Sequence, residues 1–459
     1  MEDLRVYAVT FNVGTSNPEQ DLQDFLSLTK DTKHEKYLPD FYVISLQEVK
    51  AQPQNLLLNA FFDDPWTKTC RTLLETRDYI KLKTIRLQGL VMSVYSLRKH
   101  LLNIRDIESD YTRTGLSGMW GNKGAVSIRL SIYGCSICFV NAHLSAHDHM
   151  LKARIDDYDS ILKDQKFHVD AHNEVFFHDY VFWMGDLNFR LMEEYEKTPE
   201  ELSAMIKRGQ LKELLNFDQL KYVMNRGEAF NELEEGEIDF PPTFKFEEDS
   251  EVYNFKRRPA WTDRILYKVS PNNYDNIKLK ITQLSYKSHP KYVLSDHRPV
   301  SSDFIIKIPR SHKVDSMRTR GVQVFADYDE EVVQFKDITF WWADDDNMVT
   351  YYITKEISET KEDWIGVFKH NFSSLDEYIS YEYVYKQSSP IPEPRNPGNA
   401  SSRGVVKPKE FSIRFNGLGS APVSGSGLFQ LVYFSETEDK VQSVLGVSKP
   451  FPLRHKQND

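Results

Sequence analysis

Short runs of β-branched, aromatic and aliphatic residues recur along the first three hundred positions, and most end in a polar cluster. Arg5–Phe11 reads as a strand. Phe41–Leu46 is apolar on both faces, which predicts a central strand covered on both sides. Similar runs occupy Leu90–Tyr95, Ala125–Leu130, Ser136–Asn141 and Tyr180–Met184. Helical spacing marks Gln20–Leu28, 150–165 and 198–208, and Thr198-Pro199-Glu200-Glu201 is a helix-start signal. Strands and helices mix without regular βαβ alternation. The expected fold class is therefore α+β: two packed sheets, a β-sandwich flanked by helices, rather than one doubly wound sheet.

A basic seam at Pro309–Lys313 ends this part, and the pattern then changes. Strand-like runs at Val322–Phe325, Ile338–Trp342, Met348–Ile353, Trp364–Phe368, Phe411–Phe415 and Phe429–Phe434 follow one another with turn residues between them. That spacing predicts an all-β, immunoglobulin-like sandwich. The Pro/Ser/Gly-rich stretch Ser388–Gly404 reads as a long loop inside it. The expected division is 1–309 for the first domain, 310–319 for a linker and 320–453 for the second domain.

The polar clusters carry the chemistry. In order they are Thr10-Phe11-Asn12, Gln47-Glu48, Asn141-Ala142-His143-Leu144, Gly185-Asp186-Leu187-Asn188 and Ser295-Asp296-His297-Arg298-Pro299. Glu48 beside Asn12 suits a hard cation such as Mg²⁺, which takes one or two carboxylates and binds phosphate oxygens directly. Asp186 and Asn188 fall on one side of an extended segment, so an acid and an amide can address one water. Asp296 next to His297 is an orienter–imidazole candidate, and His143 is a second donor. Each motif alone has a plainer explanation: a solvated loop acid, an Asx-turn, a structural histidine. His100, His147 and His149 are taken as plain structural histidines. The ordered set is a kit for splitting a phosphate ester.

Charge narrows the partner. The net charge of −10 disfavours a nucleic-acid groove, so an anionic substrate needs a local basic pocket. Thr243-Phe244-Lys245-Phe246 and Lys256-Arg257-Arg258-Pro259-Ala260-Trp261-Thr262-Asp263-Arg264 form the densest basic–aromatic segment. Gly118–Gly124, with Asn122 and Lys123, is a glycine-rich loop that could meet a phosphate but lacks Walker spacing. Leu56–Phe62 is an apolar run that could wedge into a bilayer if exposed. The three cysteines, Cys70, Cys135 and Cys138, are expected to be reduced and buried. Met1–Arg5 leads straight into a strand and no run is long enough to span a bilayer, so membrane contact is expected to be peripheral.

Phe41…Gln47-Glu48, Trp183-Met184-Gly185-Asp186-Leu187-Asn188, Pro259-Ala260-Trp261-Thr262-Asp263-Arg264-Ile265-Leu266 and Ser295–Val300 resemble the inositol polyphosphate 5-phosphatases, across about residues 4–309. The part from about 318 to 450 resembles a SKICH domain, a membrane-targeting or protein-binding β-sandwich. The resemblance implies the endonuclease/exonuclease/phosphatase (DNase I-like) fold and Mg²⁺-dependent hydrolysis of the 5-phosphate of phosphatidylinositol 4,5-bisphosphate and 3,4,5-trisphosphate, with soluble inositol polyphosphates as further substrates. It implies Glu48 and Asn12 at the metal, Asp186 activating water, Asn188 positioning it, and His143 and His297 on the scissile phosphate with Asp296 behind His297. It sets Phe244, Lys245 and Arg257 at the neighbouring 4-phosphate, with Asp263 and Arg264 in the same substrate-binding segment, and Asn122 and Lys123 toward the 1-phosphate. Phe244 stands where the family usually has Tyr, and Thr262 where Cys is common. A monomer acting in the cytoplasm is implied, peripheral at the endoplasmic reticulum and plasma membrane, with a protein partner for the SKICH domain. A nuclease or sphingomyelinase on the same fold is the alternative.

Overall fold

The computed structural model describes residues 2–28, 38–50, 63–114, 122–271, 278–308, 331–354, 357, 360–387, 389–390, 409–417 and 427–455. The apolar run Leu56–Phe62, the linker 310–319, the strand expected at Val322–Phe325 and most of Ser388–Gly404 lie outside them.

The first part is two sheets face to face. Its strands are β1 (Glu2–Asn12), β2 (Phe41–Gln47), β3 (Tyr79–Leu87), β4 (Leu90–Leu97), β5 (Ile104–Arg113), β6 (Gly124–Ile132), β7 (Cys135–His143), β8 (Tyr180–Asp186), β9 (Glu234–Glu235), β10 (Asp263–Val269), β11 (Ile281–Ser288) and β12 (Val300–Ile308). One sheet runs β11-β12-β1-β2-β4-β3, and the other contains β5-β6-β7-β8-β10-β9. Val6, Val43, Met92, Ile128, Phe139, Phe182 and Phe304 belong to the apolar layer between the sheets. The double-sided apolar runs follow from a second layer outside each sheet. Helix α1 (Pro65–Glu75) covers the first sheet with Trp66, Cys70 and Leu74, and α2 (Leu151–Asp164) covers the second with Ile155, Tyr158 and Ile161.

Helix α3 (Pro199–Lys207) starts with a capping box between Thr198 and Glu201, and α4 (Leu211–Leu215) and α5 (Gln219–Arg226) follow. The helix expected over Gln20–Leu28 is not formed. That segment is a string of turns, broken at Ser27 by a φ of 53°. Leu22, Phe25, Leu26 and Leu28 are all fully buried there, so they report docking against the sheet and not one face of a helix.

Chain direction places the polar clusters together. At the centre of each sheet two strands run parallel: β1 with β2, and β7 with β8. Their carboxyl ends therefore bring Asn12, Gln47, His143 and Asp186 to one end of the sandwich. β12 is antiparallel to β1 and β10 to β8, so the amino ends of these two strands arrive at the same place.

The second part is built of β13 (Val333–Phe335), β14 (Trp341–Trp342), β15 (Asn347–Ile353), β16 (Trp364–Lys369), β17 (Tyr378–Tyr383), β18 (Ser389–Pro390), β19 (Lys409–Phe415), β20 (Leu428–Glu436), β21 (Gln442–Val447) and β22 (Phe451–Arg454). β13, β15, β19 and β18 make one sheet, and β16, β17, β20, β21 and β22 pair in another. Trp341, Tyr351, Ile413, Leu431 and Phe451 pack between them.

Candidate active site

Asn12, the last residue of β1, is buried and donates from Nδ2 to Asp186 Oδ2 at 3.0 Å and to Glu48 Oε1 at 3.2 Å. It thus ties the two sheets together at the cleft. Glu48 follows β2 with a φ of 57°, and its side chain stays 46% exposed. The turn ends with its carboxylate in the cleft, 3.9 Å from His143 Nε2. The half-exposed Glu48 carboxylate and the Asp186 carboxylate, bridged by the Asn12 amide NH2, bring hard oxygen donors together, which fits a hard divalent cation.

Asp186 is the centre of the site. Gly185 before it has a φ of 144°, and a Cβ there would fall 1.9 Å from Ala142 O, so only glycine allows β7 and β8 to close up. Asp186 Oδ1 accepts from Asn188 N at 3.1 Å, and Oδ2 lies 3.2 Å from His143 Nε2 and 3.8 Å from His297 Nε2. Burial alone would raise this carboxyl, but the charge of His297 and the bond from His143 outweigh it and hold it well below the usual carboxylate range. The two histidines are unlike. Burial, and then the neighbouring Lys123 ammonium, push His143 down, which keeps it neutral. His297 resists burial because Asp263, Asp186 and Asp296 surround it, and it rises to about 9. It is an imidazolium at neutral pH.

The partner of His297 differs from the expected one. Asp263 Oδ2 meets His297 Nδ1 at 2.9 Å, whereas Asp296 Oδ1 is 3.9 Å from Nε2 and pairs instead with Lys245 Nζ at 2.7 Å. The chain bends over 294–296, so Asp296 faces Lys245 at the rim while His297 turns inward to Asp263. Asp263 reaches His297 because β10 pairs with β8 in the register Asp263↔Asp186. It is fully buried and also accepts from Thr243 Oγ1 and Thr262 Oγ1, so it is a positioning residue and not a substrate contact. Asp186, Asp263 and His297 converge tightly enough to suggest a metal cage. The His297 ring lies between the two carboxylates, with Nδ1 2.9 Å from Asp263 Oδ2 and Nε2 3.8 Å from Asp186 Oδ2.

Arg264 is a second correction. It is fully buried, with Nη1 3.1 Å from Asp218 Oδ2 and Nη2 2.5 Å from Glu235 Oε2. It points away from Asp263 on the strand and holds β9 and α5 to β10. Asn188 is held on both sides: Nδ2 donates to Leu144 O at 3.0 Å, and Oδ1 accepts from Arg190 Nη2 at 2.5 Å. Gln47 and Asn141 join the sheets through a 2.7 Å bond between Gln47 Nε2 and Asn141 Oδ1, and so serve the scaffold.

The basic rim is looser. Lys245 is part-exposed, Arg257 is exposed and Asn122 is exposed, while Lys123 Nζ contacts His143 Nε2. Burial lowers the Lys123 ammonium. Phe244 lies between two cations, with the Arg190 guanidinium 4.3 Å from its ring centre and the His297 ring centre 4.6 Å away. No role was assigned to Arg190 from sequence. Its place at the end of the Asp186–Asn188 motif was the available signal.

A model of the endonuclease/exonuclease/phosphatase family 2 matches residues 9–303, and a SKICH-domain model matches 333–453. Mouse phosphatidylinositol 4,5-bisphosphate 5-phosphatase A is 35% identical over 98% of this chain, which spans only 42% of that protein. Mouse inositol polyphosphate 5-phosphatase K is 30% identical over 98% of this chain and 90% of its own length. Among solved structures, the inositol polyphosphate 5-phosphatase domain of SPsynaptojanin, in complex with inositol (1,4)-bisphosphate and calcium ion, superposes with a TM-score of 0.57 at 29% identity, covering 67% of this chain and 86% of that one.

Proposed function

The chain belongs to the inositol polyphosphate 5-phosphatase family, with a C-terminal SKICH domain, and from that premise we propose that it hydrolyses the 5-phosphate of phosphoinositides. The proposed substrates are phosphatidylinositol 4,5-bisphosphate and 3,4,5-trisphosphate, with soluble inositol polyphosphates as a further class. The observation that carries this is the convergence of Asn12, His143, Asp186 and His297 beside the Lys245–Arg257 rim. Mg²⁺ is the proposed cofactor, held by Glu48 with Asn12, and it would supply positive charge to the scissile phosphate.

The residues divide the remaining work. Asp186, ionised and oriented by Asn12 and the Asn188 amide, accepts the proton of the attacking water. In the resting site the charge of His297 makes it a weak base. A phosphate dianion engaging His297 offsets that charge, so substrate binding itself strengthens the base. His297 donates to a phosphoryl oxygen as an imidazolium, and His143, at the end of β7, and Lys123, just before β6, face the same space. Lys245 and Arg257 meet the phosphate next to the scissile one, and Asn122 the opposite side of the ring. The proposed site of action is the cytoplasmic surface of the endoplasmic reticulum and plasma membrane, with the SKICH domain binding a protein partner there. Among the described residues no helix is long and apolar enough to cross a membrane.

Phosphate release from a panel of phosphoinositides and inositol phosphates tests the reading. Loss is expected only from substrates bearing a 5-phosphate, and Asp186→Asn should reduce it by about a thousandfold or more. Wild-type release by that variant, or plasmid nicking by the wild type at a comparable rate, would overturn it.

A further inference from the structure

Contacts between the two parts of the chain concentrate where two edge strands bulge. β3 is the edge of one sheet, and its pairing with β4 shifts between Lys81 and Lys83. There Lys81 N donates to Ser373 O at 2.8 Å and Lys81 O accepts from Leu375 N at 3.1 Å, a short parallel bridge. β5 is the first domain's last strand in a sheet that continues into β21, and its pairing with β6 shifts between Arg105 and Glu108. There Arg105 Nη1 donates to Val444 O at 2.7 Å, Asp106 N to Ser443 Oγ at 2.9 Å, and Ile107 pairs with Gln442. Phe372, Leu375, Phe434 and Val444 join the same apolar cluster as Ile80, Leu82 and Ile104. Bulges turn backbone groups outward at an edge, and an open edge invites foreign strands. Here both edges are covered by the chain's own second domain.

The anchor is charged as well. The Lys81 side chain is buried, with Nζ 2.5 Å from Asp63 and 3.5 Å from Asp376 of the second domain. Arg71 joins Asp63 at 3.3 Å to Glu377 at 2.8 Å. From Asp63 the contacts lead back to the cleft. Asp64 lies 3.9 Å from Arg86, which donates to Lys50 O at 3.1 Å and to Gln88 O at 2.7 Å. Gly89 O then accepts from Val49 N at 2.9 Å, and a Cβ on Gly89 would sit 3.2 Å from the Glu48 Cα. The β3–β4 hairpin therefore packs closely against the turn that aims Glu48.

We propose that the C-terminal β-sandwich is a fixed wing of the catalytic unit, docked on the β3 and β5 edges, and that through Lys81 and the β3–β4 hairpin it positions Glu48. The second half rests on the reading of Glu48 as the metal-facing acid; the first does not. Two variants of the full chain test it. Leu375→Asp breaks the apolar contact, and Arg98→Ala removes the milder bond from Arg98 to Phe372 O and its stacking on that ring. Hydrogen exchange of the Lys81 and Asp106 amides, calorimetric unfolding and Mg²⁺ binding by titration calorimetry are the readouts.

The wild type is expected to unfold in one transition with both amides protected. The variants should lose that protection and bind Mg²⁺ about threefold or more weakly. Two independent transitions in the wild type, or unchanged amide protection in both variants, would overturn the docking. Lost protection with unchanged Mg²⁺ affinity would overturn the positioning of Glu48. Absence of Mg²⁺ binding by the wild type would instead sink the metal reading and leave the docking result standing.

Discussion

The reaction centre and the basic rim lie side by side, yet they are built in opposite ways. Asn12, Asp186, Asp263 and His297 are buried, and each is bonded to another member of the set or to the strand ends beneath it. Lys245 and Arg257 are part-exposed or exposed, and Lys245 pairs with the Asp296 carboxylate. Burial makes charges act strongly, which is why His297 reaches about 9 while Asp186 stays ionised. Exposure keeps the rim's charges screened and free to exchange Asp296 for a phosphate. On the proposed function, chemistry is preorganised in one region, and recognition is left adjustable in the other.

That contrast can be broken from the inside outward. Asp263→Asn removes the carboxylate behind His297 while keeping its shape, and turnover should fall on the order of a thousandfold. The same variant should move the alkaline limb of the rate profile downward from about 9, read from kcat/KM against pH. The sign follows from the shift: a histidine raised in the fold stabilises it fully below its ordinary value of 6.5, and that contribution is lost as pH rises through about 9. If the variant kept its rate and its limb, Asp296 would regain the orienting role.

Arg264→Met separates scaffold from recognition. It leaves Asp218 and Glu235 without their cation, so stability should drop by about 3–5 kcal/mol in chemical denaturation. A raised KM with unchanged stability would return Arg264 to the substrate. The smallest effect is expected at the rim. Lys245→Ala should raise KM by about tenfold for substrates with a phosphate beside the scissile one, with kcat nearly unchanged. A loss confined to kcat would mean that Lys245 acts in the reaction centre and that the two regions are not separate.

Much of this was legible in the chain. The double-sided strands, the capped helix at Pro199, the mostly β second domain and the residues Asn12, His143, Asp186 and His297 that meet at the strand ends could be read locally. The failures share one cause. Adjacency along the chain is not adjacency in the site: the chain bends at Asp296, and Arg264 faces opposite to Asp263 along β10. Gln20–Leu28 looked helical because docking on a sheet buried its apolar residues at helical spacing.

What the sequence determined by itself is therefore local: where strands form, where they end, and which chemistry-bearing residues stand at those ends, because periodicity and turn chemistry act over a few residues. What only the tertiary structure decided is partnership. Asp263 meets His297 across 34 positions, Asn12 meets Asp186 across 174, and Ser373 meets Lys81 from another domain. Those pairings are set by strand order, direction and register, which are properties of the assembled sheets and of no single segment.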